Sequence, residues 1–320
     1  MSVANTAGYE NLPNEKWNPA IYSQKVLKFF RRSSIAEAIT NTDYAGEIEN
    51  FGDTVKIIKE PTVSVSSYTR GAVVNTQDLT DTEITLTVDQ GNYFAFKVDD
   101  IEERQSHVNW ESLATSSGAF SLKKAFDYNV LKEINDSAVQ GTAATDTGAA
   151  GSAISCNTGN KAANVLARFS QQLDANDVPQ ENRWFVANSG FYEILKQADA
   201  KLMDASVTGE SQSAFLNGAV TDRKIHGFTL YQTNVIQTAS TGSAAAFTFG
   251  PSATSGETTV LGGHMSAVAT ASHIAKTEVI RDPDSFADIV RGLHVFGRKV
   301  LRGSGDGYKG VLQGVVDLNS

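Results

Sequence analysis

Between Asp99 and Ala138 the sequence keeps a helical period for about forty residues, and its apolar side chains fall on two stripes. Leu122, Phe126 and Val130 share one stripe, and Leu131, Ile134 and Ala138 share the other. A helix resting on one core needs a single apolar face, so two faces predict neighbours on two sides. At about 1.5 Å per residue such a helix spans roughly 60 Å. Gly118, in TSSGAF, is where the pattern predicts a bend or break.

The residues before this helix cannot form a core of their own. A polar stretch covers residues 1–17. Asn18-Pro19 then opens a helix with a cap and a proline at its first position. Ile21, Val26, Leu27, Phe30, Ile35, Ala38 and Ile39 carry it at mostly helical spacing to about Thr40. Residues 47–98 read as β structure. TVKII, TVSVSSYT and ITLTVDQ alternate apolar and polar residues, and YFAFKV adds another strand. The polar RGAVVNTQDLTD between them lacks a tight-turn signal, which predicts a long extended hairpin. Such a hairpin is marginal alone and leans on a neighbour.

After the long helix, GTAATDTGAAGSAISCNTG (141–159) reads as a flexible boundary. Beyond it KAANVLARFSQQLDAN is helical, RWFVAN is a buried strand, and SGFYEILKQAD is a helix capped by Ser189. KIHGFTLYQTN, AAFTFG, AKTEVI, IVRGLHVFGRKVLR and VLQGVV read as strands, while GGHMSAVATASHI fits either type. No internal repeat is visible.

Chemistry is hard to place. DDIEERQSHVNWE (99–111) concentrates acids, and Glu103, His107 and Glu111 stand four apart on one helical face, a spacing able to present ligands to a divalent ion. No second Glu/His set completes such a site. Acids three apart at a helix start also explain themselves, by capping and by the helix dipole. The helix-start reading is the preferred one. The five histidines form no metal-binding motif, and the single cysteine, Cys156, excludes an internal disulfide and lacks a local histidine partner. GDGYKG (305–310) spells Gly-x-Gly-x-x-Gly, but a strand rather than a helix follows it, so it is not read as a dinucleotide site. Lys plus Arg number 27 and Asp plus Glu 36, a formal charge of −9, which argues against a surface built wholly for nucleic acid. Three small basic clusters remain: Lys25, Lys28, Arg31 and Arg32; Lys123 and Lys124; and Arg298, Lys299 and Arg302. No signal peptide and no membrane span is expected.

An arm, an extended hairpin and a two-sided helix, in that order, resemble the major capsid proteins of tailed bacteriophages. AIYSQKVLKFFRRSSIAEAITNTDYAGEIENFGDTVKI is similar to that family's N-terminal arm and helix entering the extended loop. YFAFKVDDIEERQSHVNW and KKAFDYNVLKEI resemble the end of the loop and the spine helix. RWFVANSGFYEILKQADAKLMDA, KIHGFTLYQTN and DSFADIVRGLHVFGRKVLR look like its later axial and peripheral segments.

The resemblance implies an α+β, Hong Kong 97-like capsid fold. Its parts are an N-terminal arm and helix (1–45), an extended loop (46–97), a spine helix (98–140), an axial domain (141–275) and the remainder of the peripheral domain (276–320). It implies a non-enzymatic protein without cofactors that self-assembles through pentamers and hexamers. The product is the icosahedral head enclosing double-stranded DNA, assembled in the host cytoplasm. An encapsulin-like compartment and a metal-dependent hydrolase are the alternatives. Implied partners are other copies of the chain, a separate scaffolding protein, a portal, a decoration protein and packaged DNA held without sequence preference; no membrane is involved. Glu102, Glu103, Arg104 and Arg70 are candidates for contacts between subunits, and Lys25, Lys28, Arg31 and Arg32 for DNA contacts on the inner surface. No lysine–asparagine cross-link is expected, because Lys56 and Lys59 lie at the loop's base.

Overall fold

The computed structural model describes residues 34–44, 53–61, 63–71, 73–74, 76–79, 83–99, 110–141, 146–197, 225–236, 257–283, 285–305 and 309–319. Its first elements are a short helix α1 (Ala36–Ile39), strands β1 (Thr54–Ile58), β2 (Glu83–Thr87) and β3 (Gln90–Asp99), and the long helix α2 (Trp110–Ser137). Short strands β4 (Val139–Gln140) and β5 (Ile154–Ser155) precede α3 (Gly159–Ala175), β6 (Arg183–Ala187), α4 (Ser189–Leu195) and β7 (Phe228–Gln232). The chain then forms β8 (Glu257–His264), one 3₁₀ turn, β9 (Val268–Arg281), β10 (Ala287–Val300) and β11 (Val311–Asp317).

Three sheets organise these elements. β1 and β2 pair antiparallel, and the described residues between them, 59–61, 63–71, 73–74 and 76–79, belong to no sheet. β10 pairs antiparallel with β3 on one side and β9 on the other. The third sheet runs β4-β11-β8-β6-β7, with β5 also paired to β11. The segment 276–320 is therefore shared between two sheets, since β11 pairs with β8 in the third sheet and β10 lies in the second.

RWFVA is apolar throughout because both faces of β6 are covered. Phe185 points to the helical side, among Phe169 of α3, Phe191 of α4 and Phe228, with ring centroids 5.2, 5.6 and 6.0 Å away. Trp184 and Val186 alternate to the other face and join one cluster with Val130, Leu131 and Ile134 of α2 and Ile39 of α1. Phe126 of α2 meets Phe296 of β10 edge-on at 5.0 Å. The two apolar stripes of α2 thus find partners within the same chain.

Four expectations need correction. Asp99 does not open a helix; it is the last residue of β3, paired with Ala287. The described helix begins at Trp110, and Asp100, Glu102 and Glu103 lie outside the described residues. Gly118 does not break α2, which runs unbroken from Trp110 to Ser137. A Cβ there would lie 2.8 Å from the Phe94 ring, so its glycine lets the strand's aromatic approach the helix. TVSVSSYT forms no ladder at 63–69; among the described residues no strand lies beside its alternating valines, and Val65 is 98% exposed. At α4 the cap is Asn188, whose side-chain oxygen accepts from the Phe191 amide at 2.9 Å, and Ser189 is already helical.

The stretch expected to be a flexible boundary is in its described part, from Asp146 on, packed structure. β4 and β5 both run parallel to β11, and the chain between them returns to the same strand. Thr147 Oγ1 donates to the Gln313 carbonyl at 3.1 Å, and the Val315 amide donates to the Thr147 carbonyl at 3.2 Å. Small residues are used here because backbone meets backbone. A Cβ on Gly141, Gly148 or Gly314 would overlap a neighbouring main-chain oxygen. Cys156, at the end of this stretch, is fully buried, and burial pushes its thiol up to about 12, consistent with no nucleophilic role.

Candidate functional site

Among the described residues no group of three or more His, Cys, Asp or Glu side chains could hold a metal. Glu103 and His107 lie outside the described residues, and Glu111 is described only as backbone in α2. Lys25, Lys28, Arg31, Arg32, Glu102 and Arg104 also lie outside them. Arg70 is described: it is exposed in a turn with Gly71, whose φ of +88° is the reason glycine stands there. No described helix is long and apolar enough to cross a membrane.

What the fold does present is exposed contact surface. Along the hairpin Ile58, Val63, Val65, Tyr68, Val73 and Val74 are all open to solvent. A side-chain staple holds its two arms together, with both the amide and the hydroxyl of Ser64 donating to Gln77 Oε1 at 2.9 Å. At its base Lys56 pairs with Glu83 at 2.8 Å. Monomers seldom leave so many large apolar side chains uncovered along one extended segment.

A second open surface is the face of the β3-β10-β9 sheet turned away from α2. The register places Tyr93, Leu293 and Lys276 in one row and Ala95, Arg291 and Glu278 in the next. Glu278 accepts from Arg291 at 2.8 Å and also from Lys276, and these two bonds, Lys276 first, hold its carboxyl below the usual carboxylate range. Exposed pairs of this kind contribute little singly, because water screens them. Between the hairpin base, the end of α2 and the end of β10 lies a polar groove of about 570 Å³, lined by Lys59, Glu83, Asp136, Lys299 and Ser304 among others. It mixes both charge signs and brings no nucleophile against a general base.

One buried acid positions the segment that leads in from the N-terminus. Asp127 of α2 accepts from Ser34 Oγ at 2.6 Å and from the amides of Ala36 and Ile35 at 3.1 and 3.4 Å. It caps α1 from another helix, which is an N-cap supplied across 91 residues of sequence. The segment continues between helix and sheet, where Thr40 Oγ1 meets Thr270 Oγ1 at 2.8 Å and the Asn41 amide donates to the Val268 carbonyl at 2.8 Å. Sequence reading passed over Asp127. The available signal was an acid beside Phe126 and Val130 on an otherwise apolar stripe.

Burial pushes the Asp127 carboxyl above the usual carboxylate range, against its three hydrogen bonds. Burial also holds His264 and His294 below the ordinary imidazole value; His294 packs against both Phe126 and Phe296, with Nε2 2.7 Å from Ser272 Oγ. The signs differ. For the histidines the unfolded chain takes up protons first, so their contribution is complete above pH about 6.5 and is lost as pH falls below it. For Asp127 the folded chain keeps its proton longer, so its contribution is present in acid and is lost as pH rises through its folded value. Thermal unfolding scanned from pH 8 to 5 should therefore show Tm falling below pH about 6.5, and His294→Phe should flatten that fall. Asp127→Ala should lower stability by about 1–2 kcal/mol at pH 7, with hydrogen exchange at residues 34–41 accelerating more than elsewhere.

No family model matches this chain, and no curated protein matches its sequence. Its fold does match solved structures along nearly the whole length. A structure from Mycobacterium phage Che8 superposes with a TM-score of 0.74 at 23% identity, covering 93% of this chain and 97% of that one. The capsid structure of the cyanophage P-SCSP1u gives 0.67 at 18% identity, covering 97% and 98%. The mature capsid of bacteriophage PhiM1 gives 0.64 at 15% identity, covering 99% of both chains. At such identities the shared property is the fold alone, and the chain has the α+β, Hong Kong 97-like fold found in phage capsid structures.

Proposed function

We propose that this chain is a major capsid protein, a structural and non-enzymatic subunit that self-assembles into the head shell of a tailed bacteriophage. The observation that carries this reading is end-to-end coverage: the chain and the phage capsid chains account for nearly all of each other. The exposed hairpin gives it a physical basis, since large uncovered apolar residues on a projecting element are suited to a surface on another copy.

Within this reading residues 1–45 form the arm and 46–97 the loop that reaches over a neighbouring subunit. α2 with the β3-β10-β9 sheet forms the peripheral part. The axial part is built on the other large sheet, to which β11 contributes from the C-terminal segment. Pentamers and hexamers close an icosahedral shell around double-stranded DNA in the virion. Arg70 on the loop, with Glu102, Glu103 and Arg104, takes part in contacts between subunits, and Lys25, Lys28, Arg31 and Arg32 face the DNA. A scaffolding protein, a portal and a decoration protein complete the set of partners.

Purified chain examined by negative-stain microscopy and analytical ultracentrifugation should form five- and six-membered rings or uniform shells. A chain that stays monomeric at high concentration, alone and when co-expressed with its neighbouring phage genes, overturns the reading.

A further inference from the structure

The end of the third sheet sets two acids against each other. In the register of β8 and β11, Glu257 lies directly opposite Asp317, and Thr259 lies opposite Val315. Opposite residues of an antiparallel pair share a face, and so do residues two apart on one strand. Glu257, Thr259 and Asp317 are therefore on one face of the sheet. It is the face of Leu261, which clusters with Trp184 and Val186, and not the α3 face of Val260 and Val316.

The two β8 side chains are deeply buried and incompletely bonded. Glu257 is 4% exposed and Thr259 0%. Oε1 of Glu257 accepts from the Gly151 amide at 3.1 Å, in the turn that leads into β5. Among the described residues, Oε2 of Glu257 and Oγ1 of Thr259 have no hydrogen-bond partner. A buried polar atom left bare costs about 1–3 kcal/mol, and more where it carries charge. Like charges directly opposite on a ladder add to that cost.

The protein's own cations do not offset it. Among the described residues no lysine or arginine pairs with Glu257. Lys161 Nζ is bonded to Ser155 Oγ at 2.6 Å and to Asn157 Oδ1 at 2.9 Å. Ser155 stands beside Asp317 on β5, so Lys161 serves that edge of β11, while Glu257 lies on the other. The donor atoms left over are all oxygen, two carboxylates and a hydroxyl, which is the set a hard cation takes. Two carboxylates match a double positive charge. Calcium accepts an irregular shell of six to eight oxygens completed by water, whereas magnesium demands a near-ideal octahedron.

We propose that this end of the sheet binds a calcium ion, with Glu257 Oε2 and Thr259 Oγ1 as ligands, Asp317 balancing its charge from across the ladder, and water completing the shell. The Gly151 amide fixes the carboxylate by its other oxygen. Every one of these groups belongs to a single chain, so the inference goes beyond the assembly reading and does not depend on it.

The full-length chain, stripped with EDTA, should take up one calcium ion in equilibrium dialysis with a Kd of about 10⁻⁴–10⁻³ M. Calcium at about 5 mM should raise its Tm by roughly 2–4 °C, and magnesium by clearly less. Glu257→Gln keeps the shape and removes the charge, and should abolish both the bound ion and the Tm shift. Thr259→Val should weaken binding about tenfold, and it carries the test if Glu257→Gln does not fold. No calcium uptake by the parent chain overturns the proposal. Uptake that is unchanged in the variants overturns it as well, since the ion then lies elsewhere. A map from calcium-containing buffer with only a water between Glu257 Oε2 and Thr259 Oγ1 does the same. None of these outcomes touches the capsid reading, which stands or falls on the formation of rings and shells.

Discussion

Gly148→Ala should be among the most damaging single substitutions in the chain, lowering stability by roughly 2–5 kcal/mol from two separate causes. Gly148 has φ of +83°, a backbone state that an L side chain adopts at a cost, and its Cβ would overlap the Val315 carbonyl oxygen while approaching Ile154 at 3.1 Å. That oxygen is main chain in the central part of the sheet, so it cannot move aside as a side chain could. Gly151 separates the two causes. Its φ of +77° is similar, but nothing lies within 4 Å of the position its Cβ would take. Gly151→Ala should therefore lose only the conformational part, about 1 kcal/mol. Urea unfolding of both variants measures the difference, and equal losses would show that the contact with β11 is looser than the geometry indicates.

Arg183→Ala should cost about 1–3 kcal/mol for each buried carbonyl it leaves without a donor. Its side chain is 1% exposed, and its guanidinium N–H groups are engaged. Nη2 donates to Asp174 Oδ1 at 2.6 Å and to the Val178 carbonyl, and Nε donates to the Pro179 carbonyl at 2.8 Å. These bonds close the loop between α3 and β6 and fix where β6 enters the sheet. Removing the cation leaves the two carbonyls and one carboxylate without it. Asp174→Ala should cost much less, because Asp174 is about half exposed and Arg183 keeps both carbonyls. Denaturant midpoints for the two variants, with the slope unchanged, test the ordering; a small loss for Arg183→Ala would mean that water replaces the guanidinium.

The match between sequence and structure follows the range over which each signal acts. KAANVLARFSQQLDAN has one apolar face every three to four residues, and α3 lies there with Val165, Leu166, Phe169 and Leu173 buried. RWFVA, apolar at nearly every position, is a strand buried on both faces. GDGYKG was set aside as a dinucleotide site because a strand follows it, and β11 is that strand. In each of these cases a window of a dozen residues holds the physics that decides the outcome.

The misreadings share the opposite property. Asp99 resembles a helix cap, but ten backbone pairings along β3 extend through Asp99 to Ala287 and outweigh it. The glycines of 141–159 resemble a linker until β11 is laid beside them, some 165 residues later in sequence. Gly118 resembles a helix breaker until Phe94 is packed on it. TVSVSSYT has the alternation of a strand, and among the described residues it has no strand to pair with.

By itself the sequence determined that KAANVLARFSQQLDAN is a helix with one apolar face and that RWFVA is a strand covered on both faces. Those properties depend on neighbours a few residues away. Only the tertiary structure decided that Asp127 caps α1, that glycines let main chain touch main chain beside β11, and that Glu257 is brought opposite Asp317. Those depend on which distant segments share a space, and no local period encodes that.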